Sequence, residues 1–105
     1  MFVQVASAAE LPPGTVKEVE VAGRKVALLN DGAALHAFAG VCPHAGGPLG
    51  EGLLVDGVLR CPWHGWGFDV ATGRCKNVPR AALVRHAVKV EGDAVLVDDQ
   101  PLPPG

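Results

Sequence analysis

Turn-forming dipeptides recur in this chain at intervals that leave little room for helices. Ala22-Gly23, Asp31-Gly32, Asp56-Gly57, Thr72-Gly73 and Gly92-Asp93 divide 105 residues into short segments rich in Val and Leu. Asp-Gly pairs tolerate positive φ and suit two-residue turns between antiparallel strands. VKEVEVAGRKVALLN, LLVDGVLR and HAVKVEGDAVLVD therefore read as hairpins, NDGAALHAF as a further turn and strand, and FDVATGRC as a bend. AGRKVALLNDGAALHAF contains good helix formers, but glycines and the Asp-Gly pair interrupt it repeatedly. The spacing predicts an all-β fold, an antiparallel sandwich or partly open barrel, with residues 1–105 forming one domain.

Hydrophobic residues make up 49% of the chain but aromatics only 5%, so the core must be aliphatic and each Trp and Phe is a special placement. The net charge is −2 and no basic patch is visible, which disfavours nucleic acid and anionic membranes as partners. MFVQVASAAELPPG lacks a charged start and a sustained apolar run, and no segment approaches the ~18 apolar residues that span a bilayer. A cytoplasmic location without a targeting segment is the expectation. Pro12-Pro13 ends the first strand region, and residues 99–105, ending in QPLPPG, have the composition of a disordered tail.

Three cysteines are an odd number, and a reducing compartment discourages disulfides, so metal or redox chemistry is the better reading of two of them. Cys42-x-His44 and Cys61-x-x-His64 form two knuckles separated by the sixteen residues 45–60. Both lie among Gly and Pro, in VCPHAGGPLG and CPWHGWG, and the LLVDGVLR hairpin between them would bring the two tips together. Structural zinc is one candidate for such a Cys2His2 set, although zinc sites usually pair like ligands. A two-iron, two-sulfide cluster accounts better for one Cys and one His on each loop. Both thiolates can then go to one iron and both imidazoles to the other, so that each loop grips both metals.

C-x-H, sixteen residues, C-x-x-H resembles the signature of Rieske-type [2Fe-2S] proteins. The nearest likeness is to their small soluble ferredoxins and to the small subunit of assimilatory nitrite reductases. GGPLGEG, CPWHGW and FDVATG are similar to the family as well, so the resemblance covers essentially the whole chain. It implies a Rieske-like fold with a two-loop cluster-binding subdomain at about residues 40–68 and one [2Fe-2S] cluster per chain. Cys42 and Cys61 would bind one iron, and His44 and His64 the other near the tip. High-potential members carry an extra cysteine in each loop, at positions matching Gly47 and Trp63. They also place a Ser and a Tyr at positions matching Trp66 and Phe68. Hydroxyl donors to the cluster sulfurs raise the potential, so their absence implies a low one.

The resemblance implies a one-electron carrier that by itself turns over no substrate. It would accept electrons from a flavin-containing NAD(P)H reductase and pass them to a terminal oxygenase such as a ring-hydroxylating dioxygenase. The alternative is the small subunit of an NAD(P)H-dependent nitrite reductase, working with the large sirohaem subunit. A complete oxygenase would need a mononuclear iron site, and only His36 and His86 are left over to build one. Electrons would pass through the edges of His44 and His64, with Pro43, Leu49, Pro62 and Trp63 as an apolar collar. His36, His86 and Cys75 read as structural, Asp56 and Asp93 as turn formers, and VKEVEV as a solvated strand face. Trp66 would pack beneath the second loop or join the docking surface.

Overall fold

The computed structural model describes residues 1–41, 47–63, 65–78 and 81–102. Nine strands follow one another: β1 (Phe2–Ser7), β2 (Val16–Val21), β3 (Arg24–Asn30), β4 (Leu35–Ala39), β5 (Leu53–Val55), β6 (Val58–Arg60), β7 (Gly67–Asp69), β8 (Arg85–Glu91) and β9 (Ala94–Pro101). The hairpin turns fall where the dipeptides place them. Ala22 and Gly23, with φ of 53° and 78°, join β2 to β3, and Asp56 and Gly57, with φ of 50° and 75°, join β5 to β6. Positive φ at both central residues gives the turn twist that matches the strands, and the closing pairs are Val21 with Arg24 and Val55 with Val58.

The strands form two antiparallel sheets. The larger has the order β1-β9-β8-β4-β3-β2 and curls into a nearly closed barrel, its edge strands β1 and β2 approaching each other. The smaller is β5-β6-β7. β9 runs as far as Pro101, so part of the expected disordered tail is strand instead. Pairing of β9 with β1 along one edge and β8 along the other supplies the order that Pro-rich composition argued against.

Two apolar clusters result. One fills the barrel and includes Val21, Val26, Leu28, Ala37, Val95 and Val97. The other lies between the barrel wall and the small sheet and includes Ala27, Leu29, Phe38, Leu49, Leu59, Cys61 and Phe68. β3 contributes to both, Val26 and Leu28 on one face and Ala27 and Leu29 on the other. Its continuous apolar run VALL is the pattern expected of a strand covered on both sides. β2, by contrast, buries Val19 and Val21 and exposes Glu18 and Glu20.

Candidate metal centre

Each of the two Gly/Pro-rich loops is tied at its base. The first leaves β4 through Gly40, whose amide donates to the Lys25 carbonyl at 2.9 Å. Val41 and Pro48 then bridge across the loop, and the Leu49 amide donates to the Gly40 carbonyl at 3.0 Å. Leu49, in a short 3-10 turn (Leu49–Glu51), is fully buried and anchors this loop in the core between the sheets. The second loop leaves β6 at Arg60 and returns as β7. The Cys61 amide donates to the Trp66 carbonyl at 2.8 Å, and Arg60 Nη1 donates to the Gly65 carbonyl at 3.1 Å. β7 is pinned in turn by the segment after it: the Gly67 amide donates to Asn77 Oδ1 at 2.9 Å, and Phe68 bridges Cys75.

The two loops meet at Cys61. The residue is 2% exposed, at the edge of the cluster that holds Leu59 and Phe68. A Cβ built on Gly47, at the end of the first loop, would lie 2.7 Å from Cys61 Sγ and 3.2 Å from Trp63 Cβ. The first loop therefore passes against the first residues of the second with no room for a side chain. A Cβ on Gly47 would be closer to Trp63 Cβ than the ~3.5–4.5 Å that separates the Cβ atoms of bonded cysteines. Here an indole occupies that space.

Of the four expected ligands, Cys61 is placed as described; Cys42, His44 and His64 lie outside the described residues. Among the described residues no cluster of three or more His, Cys, Asp or Glu side chains gathers elsewhere. The Cys61 sulfur, sheltered yet at the junction of both loops, fits an iron–sulfur centre by the chemistry of its donor and by the narrow cradle that Gly47 leaves. A soft thiolate shielded from water is what such a centre requires.

The remaining tempting residues have structural employment. His36 Nε2 meets Asp31 Oδ2 at 2.8 Å, and its ring stacks on Phe38 with centroids 6.1 Å apart. Amide donation from Ala34 and Ala33, then His36, lowers the Asp31 carboxyl to about 2. His86, buried, bonds through Nδ1 to the Asp98 carbonyl at 2.9 Å. Cys75 is buried against the small sheet and accepts from the Val78 amide at 3.4 Å. Trp66 is half-buried and packs against the core beneath the second loop. The expected collar needs one correction: Leu49 is 0% exposed and belongs to the core, because the Gly40–Leu49 bond folds it inward. Pro62 and Trp63 are exposed, and Pro43 lies outside the described residues. Arg60 joins the site as well, and its only signal in the sequence is its position directly before Cys61.

A groove of about 320 Å³ runs beside the second loop, lined by Glu51, Gly52, Leu53, Arg60, Cys61, Pro62 and Gly65. Leu53, 60% exposed, gives it apolar surface, and Trp63, next to Pro62 in sequence, is 50% exposed. Among the described residues no helix is long and apolar enough to cross a membrane.

A small antiparallel barrel carrying a three-stranded sheet, with two tied loops converging on a buried cysteine, defines a cluster-binding β-protein. Residues 1–97 match the Rieske [2Fe-2S] domain, and the chain belongs to that family, whose cofactor is a Rieske-type [2Fe-2S] cluster. It is similar to human Apoptosis-inducing factor 3, at 40% identity over 89 residues, which are 84% of this chain and 15% of that protein. The chain thus spans only a small part of that relative's length. It is 37% identical to the ferredoxin component of the alkene monooxygenase system of Xanthobacter autotrophicus, with 97% of this chain and 84% of that one covered. Among solved structures, one similar chain is from a complex of reduced oxygenase and oxidized ferredoxin in carbazole 1,9a-dioxygenase. The TM-score is 0.89 and the identity 29%, with 97% of this chain and 96% of that one covered. A putative NADH-dependent nitrite reductase small subunit from Mycobacterium tuberculosis shares the fold, at TM-score 0.83 and 23% identity, over 92% of this chain and 93% of that one.

Proposed function

We propose that this chain is a soluble one-electron carrier serving a terminal oxygenase and re-reduced by a flavin-containing NAD(P)H reductase. In this reading Cys42 and Cys61 hold one iron of the cluster, and His44 and His64 hold the other. The observation that carries it is the meeting of the two tied loops at Cys61, where Gly47 leaves the sulfur room and nothing more. The bound cluster supplies reversible uptake of a single electron. The chain's own residues hold the loops, keep water from the Cys61 sulfur and present an apolar rim at Pro62, Trp63 and Leu53. Similarity to the ferredoxin component of a monooxygenase over 97% of this chain supports the carrier role. So does similarity to a chain solved in an oxygenase–ferredoxin complex.

The small-subunit alternative rests on a likeness of fold at 23% identity, and the carrier is therefore preferred. The test starts from protein purified anaerobically with ample iron. Equal amounts of iron and acid-labile sulfide, with an EPR signal appearing on dithionite reduction, are expected. Zinc without sulfide would sink the assignment. Capture of partners should then recover a flavoprotein reductase or an oxygenase. Co-purification with a large sirohaem protein would favour the nitrite reductase subunit instead.

A further inference from the structure

Arg60 ends β6 immediately before Cys61, and its side chain crosses to the returning arm of the second loop. Nη1 donates to the carbonyl of Gly65 at 3.1 Å, the residue that follows His64 in sequence. The guanidinium lies over Gly67 on β7: a Cβ built there would meet Arg60 Nη1 at 3.3 Å and Val58 Cγ1 at 2.9 Å. The missing side chain at Gly67 thus makes the bed in which Arg60 rests. Among the described residues no carboxylate forms an ion pair with Arg60. Its positive charge is therefore not ion-paired, although Glu51 lines the same groove, and it stands beside a loop that begins at Cys61.

Two bonds now bracket this loop, Cys61 amide to Trp66 carbonyl and Arg60 to Gly65 carbonyl. The second is charge-assisted, though exposed to solvent. Taking up one electron adds one negative charge, which a nearby cation favours electrostatically.

We propose that Arg60 is a positioning residue for the cluster: it latches the second loop through Gly65, and its charge raises the potential at which the cluster accepts an electron. The inference rests on the reading that Cys61 and His64 are ligands.

Holoprotein carrying Arg60→Met, Arg60→Lys or Gly67→Ala tests it, by redox titration and by amide hydrogen exchange over residues 61–66. Arg60→Met is expected to lower the midpoint, by less in about 1 M salt, where charges are screened. Arg60→Lys keeps the charge and should keep most of the midpoint while losing the rigid planar Nη1 donor that holds the carbonyl. Gly67→Ala leaves Arg60 in the sequence but sets a methyl 3.3 Å from its Nη1, and 2.9 Å from Val58 Cγ1, so that the guanidinium must shift. All three should speed exchange in the loop by about two- to tenfold, the ratio for losing one ordinary hydrogen bond. A midpoint unchanged in Arg60→Met, or exchange unchanged in all three variants, overturns the proposal. Should Arg60→Met fail to assemble its cluster, exchange in Arg60→Lys and Gly67→Ala decides alone. Wild-type protein without iron and sulfide would instead refute the proposed function, and exchange in the same variants would still judge the latch.

Discussion

Gly47 and Cys61 stand so close that a Cβ on the first would lie 2.7 Å from the sulfur of the second. Gly47 is thus a glycine for reasons of space and not of backbone angle. Its would-be Cβ also meets Trp63 Cγ at 3.1 Å, so there is no side to which an added methyl could turn. Gly47→Ala should destabilise the protein by about 1–3 kcal/mol, the usual cost of overpacking. Each kcal/mol corresponds to a fall in Tm of roughly 4–8 °C for a domain near this size. Thermal melting and the iron-to-protein ratio check this; an unchanged Tm at full iron content would contradict the packing.

Replacing Cys61 or Cys42 by Ser should abolish the visible absorbance and the acid-labile sulfide. The barrel core around Leu28, Val95 and Val97 lies in a separate apolar cluster from Cys61. Far-ultraviolet circular dichroism should therefore retain its β-sheet signature. Visible absorbance at wild-type iron content in either variant would remove that cysteine from the ligand set.

The midpoint potential should fall toward the lower end of the Rieske range of roughly −150 to +300 mV. Trp66 and Phe68 offer no hydroxyl to a cluster sulfur, and Phe68 is fully buried on β7. The potential should also vary little with pH around neutrality. Redox titration across pH tests both statements, and a midpoint near the top of the range would overturn this account of Trp66 and Phe68.

Asp31 makes stability depend on acid. Its carboxyl sits at about 2 in the folded protein against an ordinary 3.8, held first by the amides of Ala34 and Ala33 and then by His36. A depressed carboxyl contributes stability that is fully present above the unfolded value and is lost as pH falls through the folded one. Asp31→Asn should therefore be less stable than wild type at neutral pH, with the gap closing between about pH 4 and 2. Urea melts at several pH values would show this; a gap independent of pH would mean that Asp31 acts only through shape.

Phe68→Ala should cost about 3–5 kcal/mol, because the ring fills the seam between the small sheet and the barrel wall at 0% exposure. Denaturant midpoints would measure the loss, and a cost below about 1 kcal/mol would mean that the seam closes around the cavity.

Local chemistry made the hairpins legible in the sequence. Ala22-Gly23 and Asp56-Gly57 adopt the positive φ that their turns require, and the strands start and stop around them. The Cys/His spacing carried the family. Pairing between distant segments was not legible: nothing near Val3 or Val97 says that they pair, and β9 reaches Pro101 by pairing with His86 on β8. The burial of Leu49 is illegible for a related reason. Its Gly/Pro neighbourhood suggests an exposed tip, but the bond to Gly40 turns it inward. Arg60 reads as an ordinary strand-end charge until Gly67 is seen beneath it.

β3 is a party wall, with Val26 and Leu28 facing the barrel interior and Ala27 and Leu29 facing the small sheet. Melting of either compartment would therefore disturb part of the other's lining. Substitutions lining either compartment should accordingly lower one shared melting transition. A defect introduced at the electron-carrying end would then register throughout the molecule as lost cooperative stability.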